Sequence, residues 1–228
     1  MPRENSPSLF NHNTKDSDVL NNKLAVYLAG SIKKGHEPPT ELFWTEVETD
    51  ELKTALKDFD LSFLNPALRS DDLSIQSSVF GRDMLMVYCS DFVLVDVRQR
   101  RGLGVGSEMM WAKINRIPVI AYAPSDSHYR MTKASILGVE VNDWVHPFVE
   151  SLSDYIAGSL TDAAAWMIKH IDGQTQPVKG VEFIHNAMAL YRNTQYSCDL
   201  PMQELVENSE SLKYRVMRAA GVQRVSSN

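Results

Sequence analysis

The run Phe92-Val93-Leu94-Val95-Asp96-Val97 constrains the fold more than any other stretch of the chain. It is apolar at every position but one. A strand with one wet face alternates apolar with polar residues, whereas an unbroken run belongs to a strand covered on both faces. Such strands run parallel to their neighbours, and parallel neighbours require a long crossover, usually a helix. The rest of the sequence supplies those parts. Residues 24–29, 61–64 and 118–123 read as further strands. Helical spacing fills 42–56, then 71–89 with Asp71-Asp72 as its cap, then the stretch through Glu108, Met109, Trp111, Ala112 and Ile114. This alternation predicts an α/β fold with a doubly wound, mostly parallel five-stranded sheet. Helical patterns over 151–170, 178–191 and 201–220 predict a helical C-terminal extension, broken at Gly173-Gln174-Thr175-Gln176-Pro177. The polar, aperiodic residues 1–22 read as a disordered tail. The expected organisation is therefore a tail over 1–22, an α/β domain over 23–150 and a helical extension over 151–228.

Charge and cysteine content narrow the function. Lys and Arg number 23 against 29 Asp and Glu, a net charge of −6. Affinity for a nucleic-acid backbone rests on clustered Lys and Arg, so no nucleic-acid polymer is expected as partner. A small anion in one local basic pocket is compatible with this balance. No apolar run approaches the ~20 residues of a membrane span. The N-terminal stretch lacks the apolar core of a secretory signal, and Cys89 and Cys198 form no CxxC pair. A cytoplasmic protein without a zinc framework or disulfide scaffold is the expectation. His128, His146, His170 and His185 are too scattered in sequence to suggest a metal site.

In an open α/β sheet, ligands bind outside the carboxyl ends of the strands. Two loops that leave strand ends carry unusual residues. The first is Gly30-Ser31-Ile32-Lys33-Lys34-Gly35, where glycines admit an anion close to the backbone and Ser31 and the lysines supply donors and charge. A plain tight turn with solvated lysines is its bland alternative. The second runs from Arg98 through Gly102, Gly104 and Gly106 to Glu108. Glu108 is expected in the first turn of a helix, where an acidic residue also serves as a dipole cap. Asp83 lies in the middle of an otherwise apolar helix, either as a catalytic carboxylate or as a surface partner of Arg82. Tyr27, Phe43 and Trp44 are aromatic candidates for the site, with at least one of them a core residue.

Three motifs together resemble the nucleoside 2-deoxyribosyltransferase superfamily, closest to its 2'-deoxynucleoside 5'-phosphate N-hydrolase branch. They are Tyr27-Leu28-Ala29-Gly30-Ser31-Ile32-Lys33-Lys34-Gly35, Asp83 with Asp91 eight residues later, and Leu103-Gly104-Val105-Gly106-Ser107-Glu108. The resemblance covers roughly residues 24–138 and implies a Rossmann- or flavodoxin-like, deoxyribosyltransferase-like sheet. It also implies that Glu108 attacks C1' of the sugar, that Asp83 assists the departing base, and that no metal or cofactor takes part. Gly30, Ser31, Ile32, Lys33 and Gly35 would line the sugar-phosphate site, with Asp96, Gly102, Gly104 and Gly106 completing it. Arg100 or Arg101 would add charge for a 5'-phosphate. Ser135 would match a serine that reaches the phosphate of a neighbouring subunit, so a homodimer or larger homo-oligomer is implied. The chain departs from the hydrolase pattern at Ser107, where that branch has tyrosine, and at Arg101-Gly102, where it has Pro-Ser. The expected activity is hydrolysis of the base–sugar bond of a nucleoside 5'-monophosphate. A base-exchanging transferase and a nucleotide-sensing module signalling through the helical extension are the alternatives.

Overall fold

A computed structural model describes residues 22–33, 38 and 40–219. The tail read over 1–22 lies outside these apart from Asn22, as do Lys34, Gly35 and His36. In chain order the elements begin with β1 (Lys23–Ala29), α1 (Glu46–Ala55), β2 (Asp60–Leu64) and α2 (Gln76–Tyr88). They continue with β3 (Phe92–Asp96), α3 (Leu103–Ile114), β4 (Val119–Tyr122), β5 (Arg130–Ile136) and β6 (Val139–Val145). Next come α4 (Pro147–Leu152), β7 (Tyr155–Ala157) and α5 (Leu160–Ile171). A last group comprises α6 (Val181–Thr194), a 3₁₀ turn (Tyr196–Cys198), α7 (Leu200–Glu207) and α8 (Glu210–Ala219).

The sheet is five-stranded and parallel throughout, in the order β2-β1-β3-β4-β7. As the unbroken apolar run requires, every residue of β3 is buried. Successive side chains on a strand point to opposite faces, and the core divides accordingly. Tyr27, Ala29, Val93, Val95, Val119 and Ala121 meet Val87 of α2, Val105, Met109 and Ala112 of α3, and Val149 and Leu152 of α4. Val26, Leu28, Phe92, Leu94 and Ile120 meet Leu52 of α1 and Leu160, Ala163, Ala164 and Met167 of α5. The sheet is thus wound on both faces, as the sequence predicts. Its strand order reverses between β1 and β3, which pair with Tyr27 opposite Val93 and Ala29 opposite Val95. That switch point is where such sheets open a crevice for ligands.

Three expectations need correcting. The boundary at residue 150 falls inside the α/β layer, because β7 is its edge strand and α5 covers one face; the separate helical group starts after α5. Asp71 and Asp72 do not cap α2, which starts at Gln76 after Ile75 with no side-chain cap. Asp71 instead pairs with Arg69, and Asp72 accepts from the Ser74 backbone at 2.9 Å. Between β4 and α4 the chain also makes an antiparallel hairpin, β5 with β6, where no strand was expected. No described helix is long and apolar enough to cross a membrane, and Cys89 and Cys198 are free and exposed.

Candidate active site

The carboxyl end of β3 leads through the Arg98–Gly102 loop into α3, whose first residue is Leu103. Glu108 therefore sits in the second turn, and no acidic residue occupies the first. This removes the dipole-cap reading, since orphan backbone N–H groups belong to the first turn. The Glu108 side chain turns into the protein and is only 7% exposed. Burial raises its pKa to about 7; a Tyr27 interaction opposes the rise and the negative Asp83 adds to it. Tyr27, fully buried on β1, is pushed well above the usual phenol range by burial, then by Glu108 and Asp83. Neither the Tyr27 hydroxyl nor Glu108 Oε2 completes a hydrogen bond in this structure. Two buried polar atoms without partners, on residues that feel one another's charge, mark a place where a ligand group would be held.

Asp83 approaches from α2. Burial raises its pKa, against the opposing pull of Arg69 and Arg82. Arg82 reaches Asp83 Oδ1 at 3.3 Å and Arg69 reaches it at 3.7 Å. Both arginines also hold the loop that follows β2. Arg69 is bidentate to Asp71 at 2.8 and 2.7 Å, and Arg82 donates to the Leu68 carbonyl at 2.7 Å. Asp83 and Arg82 are therefore partners, as the bland reading had it, yet Asp83 also faces Glu108 electrostatically. The Arg69–Asp71–Arg82 cluster was missed at the sequence level; its only signal was the position of Arg69 just beyond a strand end.

Gly30, Ser31, Ile32 and Lys33 of the β1 loop line a cleft of about 270 Å³ with Phe43, Trp44 and the stretch Asn65-Pro66-Ala67-Leu68. At Gly30 a side chain would press to 3.2 Å from the Trp44 indole nitrogen, so the close approach of Trp44 requires glycine there. Trp44 donates to the Ala29 carbonyl at 3.0 Å and stacks on Tyr122, so it is a fixed wall. Of the three aromatic candidates, Tyr27 is the core residue. Phe43 lines the cleft, with the Lys33 ammonium 5.2 Å from its ring.

The second loop differs from expectation. Asp96 is 1% exposed and holds two arginines. Arg98 binds it through two bonds of 2.9 Å, and Arg101 Nη2 lies 2.6 Å away. Arg98 also meets Glu48 at 2.6 Å, and Arg101 meets Glu41 at 3.1 Å. Asp96 is thus held within the protein by two arginines, and Arg101 is no free cation. Gly102, Gly104 and Gly106 are exposed at the start of α3. A Cβ on Gly104 would stand 3.9 Å from Glu108 Oε1, so the missing side chain one turn earlier leaves that oxygen open. Ser107 merely returns its hydroxyl to the Leu103 carbonyl at 3.0 Å. Ser135 lies on β5 of the hairpin, opposite Glu140. Among the described residues no group of His, Cys, Asp and Glu is arranged to hold a metal.

A larger, mostly apolar groove of about 580 Å³ is lined by Phe80, Met84, Trp111 and Phe148 and also by Arg101, Gly102 and Gly106 of the second loop. Neither this groove nor the smaller cleft has Glu108 or Asp83 in its lining.

No family model matches the chain, and no curated protein sequence matches it. Among solved structures the chain is similar to a 2-deoxyribosyltransferase of the psychrotolerant bacterium Bacillus psychrosaccharolyticus. Identity is 13%, the match covers 68% of this chain and 98% of that one, and the TM-score is 0.41. That similarity is one of chain course.

Proposed function

We propose that the chain cleaves the N-glycosidic bond of a nucleoside 5'-monophosphate, releasing free base and a sugar 5-phosphate. The observation that carries this reading is Glu108. Its carboxyl is buried at the switch point, has a pKa near 7, has an open approach over Gly104, and faces a second carboxylate. Breaking a C–N glycosidic bond builds positive charge on C1', which a carboxylate below the ring stabilises and then captures. In the first step Glu108 forms a bond to C1' as the bond to the base nitrogen breaks, and Asp83, with its raised pKa, supplies a proton to the leaving base. In the second step water attacks C1', the Glu108–sugar bond breaks, and the proton passes to a carboxylate. A hydrogen bond from the Tyr27 hydroxyl to the ionised Glu108 would oppose the effect of burial and keep Glu108 ionisable near neutral pH. On this reading Ser31 and Lys33 hold the sugar's 5' end.

Turnover of a panel of ribo- and deoxyribonucleoside monophosphates, read as free base by chromatography with Glu108→Ala alongside, tests this. Release that is lost in the variant supports the reading. Base exchange only when a second base is added would convert it to a transferase. Binding without turnover by either route would favour a sensor. A homodimer is part of the proposal: its surface is the apolar groove beside α3, where Phe80 and Phe148 are 61% and 74% exposed. Sedimentation of the wild type as a dimer, and of Phe148→Asp as a monomer, is expected.

A further inference from the structure

The Ser31 hydroxyl donates to Glu41 Oε1 and accepts from Arg101 Nη1 at 2.6 Å. Arg101 Nη1 also lies 3.1 Å from the same Glu41 oxygen. Hydroxyl, guanidinium and carboxylate close a triangle beside the carboxyl ends of β1 and β3. Two donors converging on one anionic oxygen form the arrangement a phosphate oxygen would want, and here a carboxylate already fills it. The Arg101 side chain is 3% exposed and is also held by Asp96, whereas Glu41 is 22% exposed. Arg98 and Arg101 together bring two positive charges to three carboxylates, Asp96, Glu41 and Glu48, and solvent reaches the triangle at Glu41 and Ser31 while Arg101 is enclosed.

A phosphate brought to Ser31 meets an occupied donor pair and uncompensated negative charge, so it must displace Glu41. A neutral 5'-hydroxyl meets neither obstacle and can donate to Glu41. We infer that Glu41 is the specificity-determining residue for the 5' end of the substrate, and that its charge lowers the preference for a phosphate relative to a hydroxyl. This rests on the glycosidic reading above but not on which 5' end the wild type prefers.

The test compares Glu41→Gln and Glu41→Ala with the wild-type full chain. The ratio of kcat/KM for a nucleoside 5'-monophosphate to that for the matching nucleoside is measured. Glu41→Gln keeps a polar group within reach of Ser31 and Arg101 and removes only the charge. The ratio is expected to rise at least tenfold in Glu41→Gln and as much or more in Glu41→Ala; a ratio within twofold of wild type in both, with circular dichroism unchanged, overturns the assignment. Calorimetric titration with ribose 5-phosphate reads the subsite without turnover. Tighter binding by the variants supports the role of Glu41 even if no substrate is cleaved, which would overturn only the glycosidic reading. Unchanged or weaker binding, with cleavage intact, overturns the role of Glu41 alone.

Discussion

A carboxyl group that ionises near pH 7 in the folded chain and near 4.5 elsewhere links chemistry to stability. Between those values the folded Glu108 still holds a proton that the unfolded chain has released, so folding stability falls as pH rises through the window. The full difference is about 3 kcal/mol. Below pH 4.5 both states hold the proton, and above pH 7 the loss is complete. Glu108→Gln is expected to abolish this slope, giving urea midpoints that match wild type at pH 4.5 but exceed it at pH 8. Base release is expected to climb with pH as Glu108 ionises, to fall again as Asp83 loses the proton it must supply, and to drop at least a thousandfold in the variant. Glu108 and Asp83 are the carboxylates the sequence motifs single out, and the structure puts each within reach of the other's charge. Tyr27 was legible as an aromatic of the site or of the core, but its relation to Glu108 was not, because a tyrosine inside an apolar strand reads as core. Only the register with Val93 shows that it shares the face of α2 and α3. The two arginine partners of Asp96 were not legible, since they lie in a loop whose path no periodicity reveals.

At the level of elements, α3 carries the most information. Its start at Leu103 places Gly104 one turn before Glu108, on the same side of the helix. Glycine weakens a helix by roughly 0.5–1 kcal/mol relative to alanine, so its use here has a local reason. Gly104→Ala is expected to raise stability by about that amount with modest loss of activity, because its methyl would make only ordinary contact at 3.9 Å. Gly104→Val, with two further carbons over the carboxylate, is expected to lower kcat/KM at least a hundredfold; equal activity of the three proteins would remove Gly104 from the approach route. The strands of the sheet were legible from apolar runs except β7, which has three residues and too little length for a pattern. The β5–β6 hairpin escaped for a different reason. Its turn is Leu137-Gly138, both at positive φ, where Asn-Gly would have announced it.

For the molecule as a whole, one aspartate fastens the parts together. Asp154 pairs with the buried Lys113 of α3, accepts from the Val119 backbone at 2.7 Å and from the Lys179 backbone at 2.7 Å. It ties β4, α3 and the segment leading to α6 at the end of the sheet away from the candidate site. Asp154→Ala would leave Lys113, 2% exposed, without its counter-charge. Losing one partner of a buried pair typically costs about 3–5 kcal/mol, measurable as a lower urea midpoint, while KM for any substrate is expected to hold. The sequence showed no sign of this joint, because its three partners come from separate regions of the chain. The position of β7 and α5 has a further consequence, in the order of manufacture. The sheet face that receives Leu52 and Leu56 is completed by Leu160 to Met167, some 110 residues downstream. At roughly 5–20 residues per second of synthesis, the ribosome releases α1 about 5 to 20 seconds before α5 exists. For that interval the growing polypeptide carries a half-covered sheet with β4 as a bare edge, so the vulnerable moment in the life of this protein falls before α5 has been translated.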